Sequence, residues 1–383
     1  MCIRDSFPRV SKTYDLNQPS VEVANPFGGA IYIRVPPGNA HGWIPVTISG
    51  AVKAPYFRYL PGRETDLGEW QADLGSGHVP WADFESSHMM FTWPSVIGQY
   101  QPDPAGAMAL WDQFWEGVAV MLGRDFSQKK TEWTVLDAQI PFGGFSAGYP
   151  VPFGSPVAPE PDFPDREYDW YISSPLAITE PDYHWATSLP EIMAHEMGHN
   201  MRWPTLGPEV ETIAQMVFVG GFNAGLGLNI DEAMIHSADP DQDRDQAAMD
   251  WIMTHNFRDD VEMGCDPTMD PGVCHELRYQ HRGYAKYVDI AMLFGWEGLG
   301  AANGIIYDRL LSEGGINFSF DKEFVDDDEY LLAVGEALGV NPLPLFHFWG
   351  VRGSAEVEAQ LAALPNSPEI YQRLMYYLSL IHI

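Results

Sequence analysis

The most constraining feature of this chain is the pentad His195-Glu196-Met197-Gly198-His199. Two histidines four residues apart with a glutamate between them make chemical sense on one kind of backbone. On an α-helix, positions i and i+4 stack one turn above the other on the same face. Imidazoles so placed can point at one cation with nitrogen–metal distances of about 2.0–2.1 Å, the zinc range. Glu196 then sits beside the ion without occupying it, where a carboxylate can take a proton from an attacking water. The flanks agree with a helix. Ser188 with Glu191 three residues on forms a capping box, Ile192, Met193 and Met197 supply apolar surface, and Pro204 and Gly207 close the segment.

Two imidazoles do not complete a catalytic zinc site, which takes three protein ligands and keeps one position open. The helix expected to begin near Pro208 supplies Glu209 and Glu211. They lie about 200° apart around that helix, so only one of them can face the ion. Glu209 is the expected third ligand, and Glu211 is read as an outer-shell or surface group. Tyr284, Tyr287 and His281 are candidate donors to a tetrahedral oxyanion, and the sequence does not choose among them.

Around this centre the hydrophobic pattern changes once. Before Pro104 the chain is punctuated by Gly, Pro and Asn. Its apolar runs are short and rich in β-branched or aromatic residues, at 30–35, 44–48 and 89–93. These runs predict an N-terminal β-sandwich over residues 10–103. From Pro104 on, Met108, Trp111, Trp115, Val118 and Leu122 recur at helical spacing up to Gly123. A strand follows at 132–140, then a Gly- and Pro-rich loop at 142–159, and then mostly helix, including 285–294, 299–311, 329–338 and 355–364. The expected class is α+β, with the β-sandwich followed by a mostly helical domain over 104–377.

The two ends, residues 1–9 and 378–383, read as non-native sequence, MCIRDS and LSLIHI resembling translated adapter sequence. Such a start would mean that the true N-terminus is missing and that a signal peptide could not be seen.

Composition narrows the partners. With 53 acidic against 21 basic residues, the formal charge of −32 repels phosphate backbones and argues against nucleic-acid binding. No run of 18 apolar residues is present, so no transmembrane helix is expected. Of the three cysteines, Cys265 and Cys274 bracket a short loop and could form a disulfide in an oxidising compartment, the alternative being two free thiols. Asp239, Asp241 and Asp243 alternate but lack the glycine of a calcium loop, so they read as a solvated acidic loop.

The segment from His195 to Asn200, followed by Gly207-Pro208-Glu209-Val210, resembles the signature of the enhancin-like, mucin-targeting metallopeptidases, a gluzincin family. Further stretches extend the resemblance across residues 20 to 350. They are Asn25-Pro26-Phe27-Gly28-Gly29-Ala30-Ile31-Tyr32-Ile33, Pro80 to Glu85 with Phe91-Thr92-Trp93-Pro94, Asp137-Ala138-Gln139-Ile140 with Gly148-Tyr149-Pro150, Phe294-Gly295-Trp296-Glu297 and Phe348-Trp349-Gly350. The resemblance implies a zincin-like domain, with Zn2+ on His195, His199 and Glu209, Glu196 as base, and the strand around 137–140 as a sheet edge for an extended substrate. It implies a secreted endopeptidase acting on glycoproteins, often beside O-glycosylated Ser or Thr. Ile213 and Arg202 depart from the family's usual Asn and Gln, which touches substrate detail rather than the metal triad. Two alternatives stand beside it: a glycan-binding or adhesion protein with little turnover, and a zinc peptidase acting on non-glycosylated peptides.

Overall fold

The computed structural model describes residues 12–25, 29–35, 40, 42, 44–98, 101, 103–124, 131–137, 149–154, 189–200, 210–237, 243–263, 281–312 and 325–381. Its β structure is one five-stranded mixed sheet in the order β1 (Tyr56–Tyr59), β2 (Trp81–Ser86), β3 (Met89–Pro94), β4 (Glu132–Asp137) and β5 (Val151–Gly154). Only β2 and β3 pair antiparallel; the β1–β2, β3–β4 and β4–β5 pairs are parallel. Alternation sets the faces. Ala82 and Phe84 of β2 and Met89, Phe91 and Trp93 of β3 are fully buried, while Trp81, Asp83 and Glu85 turn to the other, half-buried face.

The expected β-sandwich is not seen among the described residues. Among the described residues, 12–55 hold no strand, and two of the three runs expected to build the sandwich, 30–35 and 44–48, are irregular and exposed. Only the third, 89–93, pairs. The strands that pair do so within a sheet backed by helices, and that sheet crosses position 103/104, where a domain boundary was expected, because β4 and β5 bond onward from β3. Strand 132–137 is interior, being paired on both sides, and β5 lies at the end of the order; residues 138–140 of the expected edge lie outside the described residues.

The helix α1 (Leu67–Gly75) starts at Asp66, whose side chain accepts the Glu69 N–H at 3.0 Å. Trp70 of α1 packs edge-on against Phe84 of β2, with centroids 4.8 Å apart. After the short α2 (Ser95–Gly98), α3 (Pro104–Leu122) begins on an Asp103 cap that accepts the Gly106 N–H at 2.9 Å and ends on a left-handed Gly123. Its stripe of Met108, Trp111, Trp115, Val118 and Leu122 is buried as its spacing predicts. One aromatic chain then links sheet to helices. Phe91 meets Trp111 at 5.9 Å, Trp111 meets Phe114 at 5.4 Å, and Phe114 meets Phe222, beyond the sheet, at 5.3 Å.

The remaining elements are helical: α4 (Leu189–Asn200), α5 (Val210–Gly220) running into a π-helix (Gly221–Gly225), α6 (Ile230–Ser237), α7 (Arg244–Ile252) and α8 (His255–Arg258). Then come α9 (His281–Ser312), α10 (Asp327–Leu338), α11 (Leu343–Phe348), α12 (Ala355–Leu361) and α13 (Pro368–Leu380). The last turn of α13 enters the 378–383 segment. A buried polar knot ties α9 to α13. Asp289 is fully buried and accepts from Trp349 Nε1 at 2.8 Å, Tyr377 Oη at 2.8 Å and Arg373 Nε at 3.3 Å. Burial pushes the Asp289 carboxyl above its usual range, and the Arg373 guanidinium pulls against that rise.

A candidate zinc site on adjoining helices

Helix α4 carries the pentad, as its spacing requires. Met193, Ala194 and Met197 are buried in the core, which leaves His195, Glu196 and His199 half-buried at the rim of the packed face. Sequence pattern and burial therefore agree: the apolar residues anchor the helix and the three polar ones stand at its margin.

Gly198 explains how α4 meets its neighbour. A Cβ at this position would lie 2.8 Å from Ala214 Cα, closer than real side chains approach, and 3.1 Å from Ala214 O. The two helix backbones are in near contact there, with Val217 on the same seam. Any side chain at 198 would push α5 away from the helix that bears both imidazoles.

The imidazoles converge. Nε2 of His195 and Nε2 of His199 are 3.2 Å apart, with ring planes at 90° and centroids at 4.8 Å. Two nitrogens bound tetrahedrally at about 2.0–2.1 Å from one ion would be about 3.3 Å apart, so the pair fits a shared zinc ion. Candidate ligand atoms of His195, Glu196 and His199 all fall within 4.8 Å of one another. The donor set, two neutral nitrogens and a nearby carboxylate, is the chemistry that zinc prefers.

The other expected residues divide. Glu209 lies outside the described residues, as do Ser188, Arg202, Cys265 and Cys274 and the Asp239–Asp241 stretch. Glu211 falls on the first turn of α5, with its side chain outside the description, as is that of His281 at the start of α9. Ile213 is buried on α5. Tyr284 and Tyr287 sit on α9 with no exposed surface; the Tyr287 ring packs edge-on against Tyr330 at 5.6 Å and under Lys286 Nζ at 4.4 Å. Sequence reasoning missed the role of Gly198. A glycine inside a strongly patterned helix is a signal of close backbone approach, and it was available in the pentad itself.

Residues 50–160 match the family profile described as peptidase M60, enhancin and enhancin-like. Residues 4–49 match the N-terminal domain of M60-like peptidases. Residues 4–160 are M60-like and enhancin-like in sequence. The matched regions of this M60-like chain end before the pentad on α4. TRPM8 channel-associated factor 3 of Rattus norvegicus is 35% identical over 144 residues, which is 38% of this chain and 15% of that protein. The M60-like chain thus spans a small part of that curated relative's length. A solved structure of a functionally unknown conserved protein from Bacillus anthracis superposes with a TM-score of 0.56 at 14% identity, covering 83% of this chain and 58% of the other. The M60 catalytic domain of Clostridium perfringens ZmpC, solved in complex with the sialyl T antigen, gives 0.50 at 13% identity, covering 84% and 58%. At such identities the likeness concerns the fold alone. Among the described residues no helix is long and apolar enough to cross a membrane.

Proposed function

We propose that this chain is a secreted, zinc-dependent endopeptidase that hydrolyses peptide bonds in extracellular glycoproteins of the mucin-like, O-glycosylated kind. The observation that carries the reading is the 3.2 Å convergence of His195 and His199 Nε2 with Glu196 beside them. The M60-like sequence and the fold shared with a catalytic domain solved with a sialylated antigen support the substrate class. His195 and His199 would hold the ion, with Glu209, just ahead of the first turn of α5, as the third ligand. Zinc in such a site acidifies water and polarises a carbonyl.

The chain's own contribution is proton management. Glu196 accepts the proton of the attacking water at its carboxylate and returns it to the amine of the departing peptide. Its place between the two histidines in sequence keeps its carboxylate within reach of the water.

Replacing Glu196 with Gln keeps the shape and removes the base. Mucin cleavage is expected to fall about 10²–10⁴-fold with zinc content unchanged. Wild-type turnover in that variant would refute the assignment. Mapping cleavage sites on a mucin before and after deglycosylation tests the substrate class, because loss of cutting on the stripped protein is the expected result.

A second reading has one observation in its favour: the curated relative is named as a channel-associated factor, a name that speaks of association. On that reading the M60-like fold binds a glycoprotein without cutting it. Intact mucin after prolonged incubation with the zinc-loaded wild-type protein, together with measurable binding, would favour it.

A further inference from the structure

α5 is held at two places along its length. Near its middle, Ala214 and Val217 seat Gly198 of the histidine helix. At its C-terminus the helix does not stop but widens into the π-helix Gly221–Gly225. Leu226 N–H bonds back to Gly221 O at 3.1 Å, five residues away, which is the π spacing. A π-turn has poorer hydrogen-bond geometry than an α-turn, survives only where its surroundings fix it, and is often found at functional sites.

Asn223 is what fixes it. Its amide group is satisfied at both ends: Nδ2 donates to Leu228 O at 2.7 Å, and Oδ1 accepts from Trp296 Nε1 at 2.6 Å. Trp296 reaches Asn223 because α9 breaks immediately before it. Gly295 adopts φ 82° and ψ 159°, outside the helical region, and redirects the chain. Against α3 the same turn lies flush, since Cβ atoms at Gly221 and Gly225 would collide with the Phe114 ring and the Gln113 carbonyl. Rotation about the α5 axis is therefore set at the π-turn. The α-helical stretch from Ala214 to the start of the π-turn spans only about 9 Å at 1.5 Å per residue, so a change at Asn223 is carried to the Ala214 seat.

We propose that Asn223, held by Trp296, is a positioning residue for the zinc-binding pair. It fixes the rotation of α5, and through the Gly198 seat it fixes the geometry in which His195 and His199 converge. The inference rests on the zinc reading above. A structural role alone would lower stability without altering the metal geometry.

The test reads metal binding rather than turnover. Trp296→Phe removes the indole donor together with part of the ring, and Asn223→Ala removes both bonds. Each is expected to weaken zinc affinity about 10-fold, toward the low end of what outer-shell changes cost, and to shift the visible absorption bands of the Co2+-substituted protein. Asn223→Asp keeps the acceptor for Trp296 and should recover most of the affinity lost in Asn223→Ala. Trp251→Phe, which removes a comparable indole bond to Phe348 O far along the chain, serves as the stability control and should leave affinity and cobalt bands unchanged. Parental affinity and parental bands in both Trp296→Phe and Asn223→Ala would overturn the proposal. His199→Ala separates the two levels: if it loses zinc while the Asn223 and Trp296 variants do not, only the positioning inference fails. If His199→Ala binds zinc as the parent does, the zinc reading fails and the inference falls with it.

Discussion

Residues 31–35 and Met89–Pro94 are written in the same alphabet, short and rich in β-branched or aromatic residues, yet they meet opposite fates. Met89–Pro94 becomes β3, bonded to β2 on one side and β4 on the other, with Met89, Phe91 and Trp93 at 0% exposure. Residues 31–35 form no strand; Ile31, Ile33 and Val35 stand 43–56% exposed. One side chain fastens the segment down. Tyr32 Oη donates to Asp83 Oδ1 at 3.1 Å and lies 3.0 Å from Thr92 Oγ1, and its ring meets Trp133 edge-on at 4.8 Å. The lesson is that β propensity describes a fit to a half-buried pleated surface, and a surface must be present for it to act. Burial follows the partner strand rather than the composition.

Three substitutions sharpen or break that contrast. The largest effect is expected at Phe91→Ala, which opens a cavity among Trp93, Trp111 and the sheet. It should cost about 3–5 kcal/mol in urea unfolding. A loss below about 1 kcal/mol would mean that the sheet core is not the stabilising unit. Next comes Tyr32→Phe, which removes the hydroxyl that joins the segment to the sheet; about 1 kcal/mol is expected, with faster proteolytic nicking within 12–55. The smallest is Ile33→Ser, expected within about ±0.5 kcal/mol because the side chain already meets solvent. Destabilisation by Ile33→Ser on the scale of Phe91→Ala would show that residues 31–35 are buried in solution and would remove the contrast altogether.

Helices were the legible part of the fold. The stripe from Met108 to Leu122, its Pro104 and Gly123 boundaries and the pentad helix could be read because a helix closes its hydrogen bonds within one segment. The sheet was legible only as a list of strand-like runs. Which of them pair depends on neighbours distant in sequence, as the β3–β4 partnership of Met89 with Glu132 shows. That dependence is why the sandwich was expected over 10–103.

The site divides along the same line. By itself the sequence determined that His195 and His199 share a helix face with Glu196 beside them, because the spacing of four residues matches the pitch of the helix. It determined the acidic surface and the M60-like character as well. Only the tertiary structure decided that Nε2 meets Nε2 at 3.2 Å, that Gly198 brings the α5 backbone against α4, and that Asn223 and Trp296, 73 residues apart, hold each other. Those outcomes depend on where separate segments come to rest against one another, and that is fixed by packing the whole core rather than by any local run of residues.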